Sequence, residues 1–358
     1  MKIVKRIIAL VMVAILSLSL VGCLHKKNEI AVTIGDMEFT SAYYMCALVN
    51  ANMEGQQKVY SSLTADQQKE EIDYYSKKID KKNFVDWVED RAIEILKDIA
   101  SYKSLCAKNE ITLSDELKAE AEQNVITMWD YYGQSAYYEP NGVSRDTYAK
   151  FTEDSYYSEA YFQALYGKGG TKELGEDQVA NEITKNYVLL DKLSIIYETD
   201  ATAEEKTAAK EKLEEYAAQI KSGKATFIQV YQAHNEMSVE EIASIAEDED
   251  GPVNTYATVS GAEGTSFEDS KFKTYEKYEF DVPQVVENSS QTGYELVIKR
   301  DIKADPYFMD YLDSFARHTL ADEEFEKEIE KNTKKLEAEI NTYATKQFKV
   351  KKIVEPEA

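Results

Sequence analysis

The sequence predicts an α+β fold, mainly helical, in which both chain ends build one helical domain and the middle forms a compact mixed α/β unit. Three observations carry this. Amphipathic helical stretches lie toward opposite ends of the chain, from Asn83 to Cys106 and from Phe308 to Ile340. Between them, from Val188 to Arg300, strand-forming runs alternate with turns and a capped helix. A terminal helix with one apolar face cannot stand alone in water, so the last helix needs the first ones as its partner.

Composition agrees. The 358 residues exceed what one core usually holds and fit about two domains. A hydrophobic share of 43% supports a core, and 30% charged residues with 26 Tyr and only 5 Pro argue against disorder. A net charge of −24 repels phosphate backbones, so nucleic acid is an unsuitable partner. Three His and three Cys are too few for a zinc or redox framework, so no metal and no cofactor is expected.

Residues 1–22 hold Lys2, Lys5 and Arg6, no acid, and an apolar run from Ile7 to Leu20. That run is short of the roughly 20 residues a spanning helix needs and reads as a secretory leader. Its removal takes the charge from −24 to −27. The tether that follows, His25-Lys26-Lys27-Asn28, is brief. Cys46 and Cys106 remain in the body, either bonded outside the cytoplasm or as two buried thiols on separate helices.

Along the chain, Ile30–Ile34 reads as a strand, Gly35-Asp36 as a turn and Met37–Phe39 as the return strand. Thr40 starts a helix to about Asn52, and 55–82 is polar and partly helical. Val85, Val88, Ala92, Ile95, Ile99, Tyr102 and Cys106 then step by three and four on one helix face. Thr112 with Asp115 is read as the cap of a helix to about Tyr132. Ser144 opens one ending near Gly167, and Gly175 to Tyr187 forms another.

At Val188 the character changes to strand formers. Thr202 and Glu205 make a capping box, and Ala209, Leu213, Tyr216 and Ile220 follow as a helical stripe ending at Gly223. Helices at Phe227–Gln232 and Val239–Ala246 come next, then short strands, the last with Tyr294, Leu296 and Ile298 on one face. Asp305-Pro306 starts the terminal helix, whose stripe runs through Phe308, Leu312, Phe315, Phe325, Ile329, Leu336 and Ile340. Phe348, Val350 and Ile353 suit a closing strand.

Two resemblances follow. Leu20-Val21-Gly22-Cys23 resembles a bacterial lipobox, which implies a lipid on Cys23 and cleavage before it. The order of elements resembles the SurA and PrsA type of extracytoplasmic foldase, a chaperone domain made from both ends that carries a parvulin-like domain. Val32 to Thr40 is similar to the family's strand-turn opening. Leu193 to Tyr197, Gln219 to Gly223 with Phe227, Phe267 to Phe272, Val282 to Val286 and Gly293 to Val297 are similar to parvulin segments. The resemblance implies a leader at 1–22, an N-terminal chaperone part at 23–187, a parvulin-like domain at 188–300 and a returning segment at 301–358.

The sequence departs from that pattern where chemistry would sit. Ser194 and Glu295 occupy positions at which parvulins usually carry His, and Asp248-Glu249-Asp250-Gly251-Pro252 stands in place of a Gly-rich segment. Prolyl isomerisation requires twisting an amide through roughly 20 kcal/mol, which needs an apolar seat for the ring and groups that favour the twisted form. Ser194, Phe227, Phe267, Phe272, Tyr294 and Glu295 are the candidate pocket by this resemblance, with no catalytic residue assigned. Client binding needs only reversible aromatic surface, for which Tyr131, Tyr132, Tyr137, Tyr138, Tyr156, Tyr157, Tyr161 and Tyr166 are candidates; the competing reading is core packing.

No phosphate loop or Gly-x-Ser-x-Gly elbow occurs, and Glu247–Asp250 fails an EF-hand register because Ala246 and Ala257 fall on ligand positions. The expected protein is a lipid-anchored folding factor at the extracytoplasmic membrane face. It would bind unfolded secreted chains, have weak or no isomerase activity, and be able to pair with a second copy. Its rivals are an active isomerase using Ser194 and Glu295, and a surface adaptor or solute-binding lipoprotein.

Overall fold

The computed structural model describes residues 28–198, 200–235, 257–260, 275, 277–288, 291–345 and 348–354, with 257–260 described as backbone. The leader with Cys23, the helix expected at Val239–Ala246, the acidic run 247–250, Phe267 and Phe272 lie outside the described residues. The fold is α+β and mainly helical, with small antiparallel sheets. The chain divides into two compact units, one of Met1–Lys172 with Glu323–Ala358 and one of Glu173–Asp322.

In the first unit, β1 (Ile30–Ile34) and β2 (Met37–Thr40) form a hairpin whose turn needs Gly35 at φ +57°. Thr40 ends the hairpin and caps α1 (Ser41–Ser62), its hydroxyl accepting from Tyr43 N at 3.3 Å. The helix runs ten residues past the expected Asn52 because its second half still buries Gly55 and Val59. Gly55 is a close approach: a Cβ there would lie 3.1 Å from the Phe84 ring and 3.2 Å from Trp87. After the small hairpin β3 (Lys78–Ile79) and β4 (Lys82–Asn83) comes α2 (Phe84–Lys108), which packs on α1. Val88, Ala92, Ile99 and Cys106 of the expected stripe are buried; Leu96, absent from it, is fully buried, while Val85 and Ile95 pack at the margin.

The cap of α3 (Asp115–Val125) is Ser114, accepting from Leu117 N at 3.1 Å, rather than Thr112. The helix continues as a wider π turn, Ile126–Tyr131. After the one-turn α4 (Ser135–Tyr138), Ser144 caps α5 (Arg145–Ser155). The single helix expected from Ser144 to Gly167 is two, since α6 (Tyr157–Tyr166) starts after a break at Tyr156.

The second unit begins with α7 (Glu176–Asn186) and β5 (Val188–Ile196). Next come α8 (Ala203–Lys221), under the Thr202–Glu205 capping box, and α9 (Phe227–Asn235). β6 (Ala257–Ser260), β7 (Gln284–Glu287) and β8 (Gly293–Arg300) complete an antiparallel sheet of order β6-β5-β8-β7. α10 (Pro306–Tyr311) follows, with Asp305 accepting from Tyr307 N and Phe308 N. This unit reaches beyond 188–300 at both ends because Val179 and Ile183 share a core cluster with Leu189, Ile302, Phe308 and Leu312.

The expected long terminal helix is also interrupted. α10 ends at Leu312, and α11 (Asp313–Thr333) contains the unit boundary. Leu336 and Ile340 are not helical. The chain turns after Thr333 and enters β9 (Ala338–Ile340), which pairs antiparallel with β1 to give the order β2-β1-β9. β9 is therefore the closing strand. Val350–Lys352, expected as strand, is a 3-10 turn that lodges Val350 and Ile353 in the core of the first unit. Between them, Thr342–Thr345 forms the single turn α12.

Candidate functional site

The sheet of the second unit sorts the expected pocket residues onto two faces. Side chains alternate along a strand, and the register pairs Ile195 with Tyr294, Ser194 with Glu295 and Leu193 with Leu296. Leu193, Leu296 and Ile298 pack with Leu213, Tyr216, Phe227 and Val230, and Ile195 and Tyr294 adjoin them under α8 and α9. Ser194 and Glu295 lie on the other face, that of Val188, Leu190 and Val297 with Tyr275 and Tyr278.

The structure thus brings Ser194 and Glu295 together and separates both from Phe227 and Tyr294. The separation follows from strand parity: neighbours in sequence, such as Tyr294 and Glu295, cannot share a sheet face. Phe227 is 3% exposed and serves as core. Glu295 is 7% exposed, and its carboxylate is taken up by Lys192, with Nζ 2.8 Å from Oε1. The Ser194 hydroxyl donates to the same oxygen at the longer distance of 3.5 Å. Burial, with help from the Glu295 charge, pushes the Tyr275 hydroxyl up to about 12. Among the described residues this is a neutralised cross-strand pair beside Tyr275 and Tyr278, with its acid taken up by Lys192.

The tyrosine cluster divides as well. Tyr138, Tyr161 and Tyr166 are buried, Tyr137, Tyr156 and Tyr157 are half-buried, and Tyr131 and Tyr132 are exposed at 81% and 65%. Sequence reasoning missed a different aromatic surface. Tyr307, Tyr311 and Phe315 lie at i, i+4 and i+8 across α10 and the start of α11, with ring centroids 6.1 and 5.9 Å apart along the row. They are 37%, 55% and 45% exposed. The sequence did carry the signal: the apolar stripe counts Phe315 with Phe308 and Leu312, but those two bury against Val179 and Ile183 while Phe315 faces outward.

Cys46 and Cys106 are free and buried, without a bond between them. Burial raises both thiols, that of Cys106 to about 11. Among the described residues, no three His, Cys, Asp or Glu side chains gather closely enough to hold a metal ion, and no helix is long and apolar enough to cross a membrane.

No protein-family model matches the chain, and no curated protein does. Among solved structures the chain is similar to a crystal structure of the foldase protein PrsA from Lactococcus lactis, at 11% identity and a TM-score of 0.36, over 90% of this chain and 99% of that one. A score at that level assigns neither family nor activity.

Proposed function

We propose that the chain is a folding factor that holds unfolded polypeptides reversibly, without efficient prolyl isomerisation. The observation that carries this reading is the exposed row of Tyr307, Tyr311 and Phe315. Half-exposed rings set in a row give large contact area at low entropic cost, and the tyrosine hydroxyls stay wet, which suits brief contact with many chains. Catalysis is disfavoured by the Lys192–Glu295 pair and by the placement of Phe227 and Tyr294 on the opposite face. The leader and lipobox support a lipid on Cys23 and a place on the extracytoplasmic membrane face, with emerging secreted chains as partners. Dual acylation would hold so acidic a body at a membrane that its own surface does not attract.

Aggregation of a reduced, unfolded client, followed by light scattering at equimolar protein, tests the proposal. Protection should weaken markedly when Tyr307, Tyr311 and Phe315 are all changed to Ser. Equal aggregation with and without the wild-type chain would reject the reading. In a tetrapeptide X-Pro assay the chain should be far slower than an intact parvulin, and a comparable rate would overturn the non-catalytic half of the proposal.

A further inference from the structure

A single Asn-Gly pair occurs in the chain, Asn141-Gly142, just after α4 in the first unit. Asn141 closes the 3-10 turn Glu139–Asn141, and Gly142 follows at φ +84°, which glycine adopts without strain. The Asn141 residue is 9% exposed and its carboxamide is fully engaged. Nδ2 donates to Tyr137 O at 2.6 Å and to Val354 O at 2.8 Å, and Oδ1 accepts from Val354 N at 2.8 Å. Two of these three bonds therefore fasten a segment 213 residues away in sequence. That segment is otherwise anchored by Val350 and Ile353 in the core of the first unit, while Val354 itself is half exposed.

An Asn followed by Gly is the pair most open to spontaneous deamidation, because the next backbone nitrogen carries no side chain past the carboxamide carbon. Gly142 N attacks Asn141 Cγ and gives its proton to water. The new N–Cγ bond closes a succinimide, and the Cγ–Nδ2 bond breaks to release ammonia. Water then adds at either imide carbonyl and opens the ring to an aspartyl or isoaspartyl residue at position 141. No oxidant or reductant enters.

The docked geometry withholds both reactants. Gly142 N donates to Glu139 O at 2.9 Å, which ties the nucleophile into the turn, and the carboxamide is held by Tyr137 and Val354. Undocking of Val354 removes two of the three bonds that hold the carboxamide. The product cannot restore them. A carboxylate has no hydrogen to give, so its oxygen would face Tyr137 O and Val354 O where Nδ2 now donates. Two carbonyls would lose their donor, and a buried negative charge would be added.

We infer that Asn141-Gly142 is a self-modification site gated by the C-terminal segment: undocking of Val354 admits deamidation, and deamidation makes the undocking permanent. The test follows isoaspartate at position 141 by mass spectrometry of protease digests. The full chain is incubated in detergent and mildly alkaline buffer, with acetyl-Tyr-Glu-Pro-Asn-Gly-Val-amide as the ungated reference. Val354→Pro removes the donor to Asn141 Oδ1 and suits the extended backbone of Ile353, at φ −60° and ψ 124°. The wild-type chain should react at least about tenfold more slowly than the peptide, and Val354→Pro about fivefold faster than the wild type.

A measurement on the unaltered chain guards against a variant that loosens more than this contact. Over a series of low urea concentrations, the deamidation rate should rise in step with hydrogen exchange of the Val354 amide. A wild-type rate equal to the peptide's, a Val354→Pro rate within about 1.5-fold of the wild type, or deamidation that does not follow Val354 exchange would overturn the gating. Deamidated chains, separated by their added negative charge, should exchange the Val350–Val354 amides faster than unreacted ones. Unchanged protection in those chains would overturn the permanent release.

Discussion

At the scale of single residues, the first unit is pinned by Asp154. Its buried carboxylate takes Lys103 and Lys150 Nζ on Oδ1, each at 2.6 Å, and the Tyr43 hydroxyl on Oδ2 at 3.0 Å, joining α1, α2 and α5. Burial, reinforced by the Asp154 charge, pushes the Tyr43 hydroxyl far above its usual range. Asp154→Ala leaves the buried Tyr43 hydroxyl without its acceptor and should cost about 2 kcal/mol in urea unfolding. A second network is exposed. Lys172 pairs with Glu324 at 2.8 Å and Glu328 at 2.9 Å, and the Tyr161 hydroxyl donates to Glu328 at 2.6 Å. Burial would raise Glu328, but Tyr161 and Lys172 outweigh it, so both carboxyls lie below the usual range. Their contribution is present above the unfolded value of about 4.3 and is lost as pH falls through the lower folded values. The urea midpoint should therefore drop below about pH 4.3, and Lys172→Met should flatten that acid slope while costing at most about 1 kcal/mol at neutral pH.

At the scale of elements, Asn141 acts as a strand substitute. Its side-chain amide donates to Val354 O and accepts from Val354 N, both at 2.8 Å, fastening the C-terminal segment to the loop after α4. Asn141→Ala should lower hydrogen-exchange protection of the Val350–Val354 amides by about 2 kcal/mol and leave the β1–β9 amides unchanged. Elements with local physics were legible in the sequence: the capping box at Thr202 and Glu205, the Asp305-Pro306 start and the β1–β2 turn stand as expected. Elements decided by distant contacts were not. The stripe from Phe308 to Ile340 carries no mark of the breaks at Leu312 and Thr333, because β9 becomes a strand only by meeting β1. Among the described pocket residues, Ser194 and Glu295 part from Phe227 and Tyr294 for a related reason. Parity within the strands divides them, and the Asp191–Arg300 pair is a diagonal contact that only the register reveals.

At the scale of the whole molecule, both thiols of the body lie in the first unit, so they report on its integrity. Cys46 and Cys106 should resist iodoacetamide at pH 8 in the folded protein and react together once that unit opens in urea. Labelling of either thiol in native buffer at the rate of a free thiol would contradict their burial. The pairing of β1 with β9 has a consequence for how the molecule is made. Asn341 donates to Ile30 O across 311 residues. Wherever the chain folds, β1 keeps one edge without its strand neighbour until residues 338–340 are in place, so the first sheet is completed only by the far end of the chain.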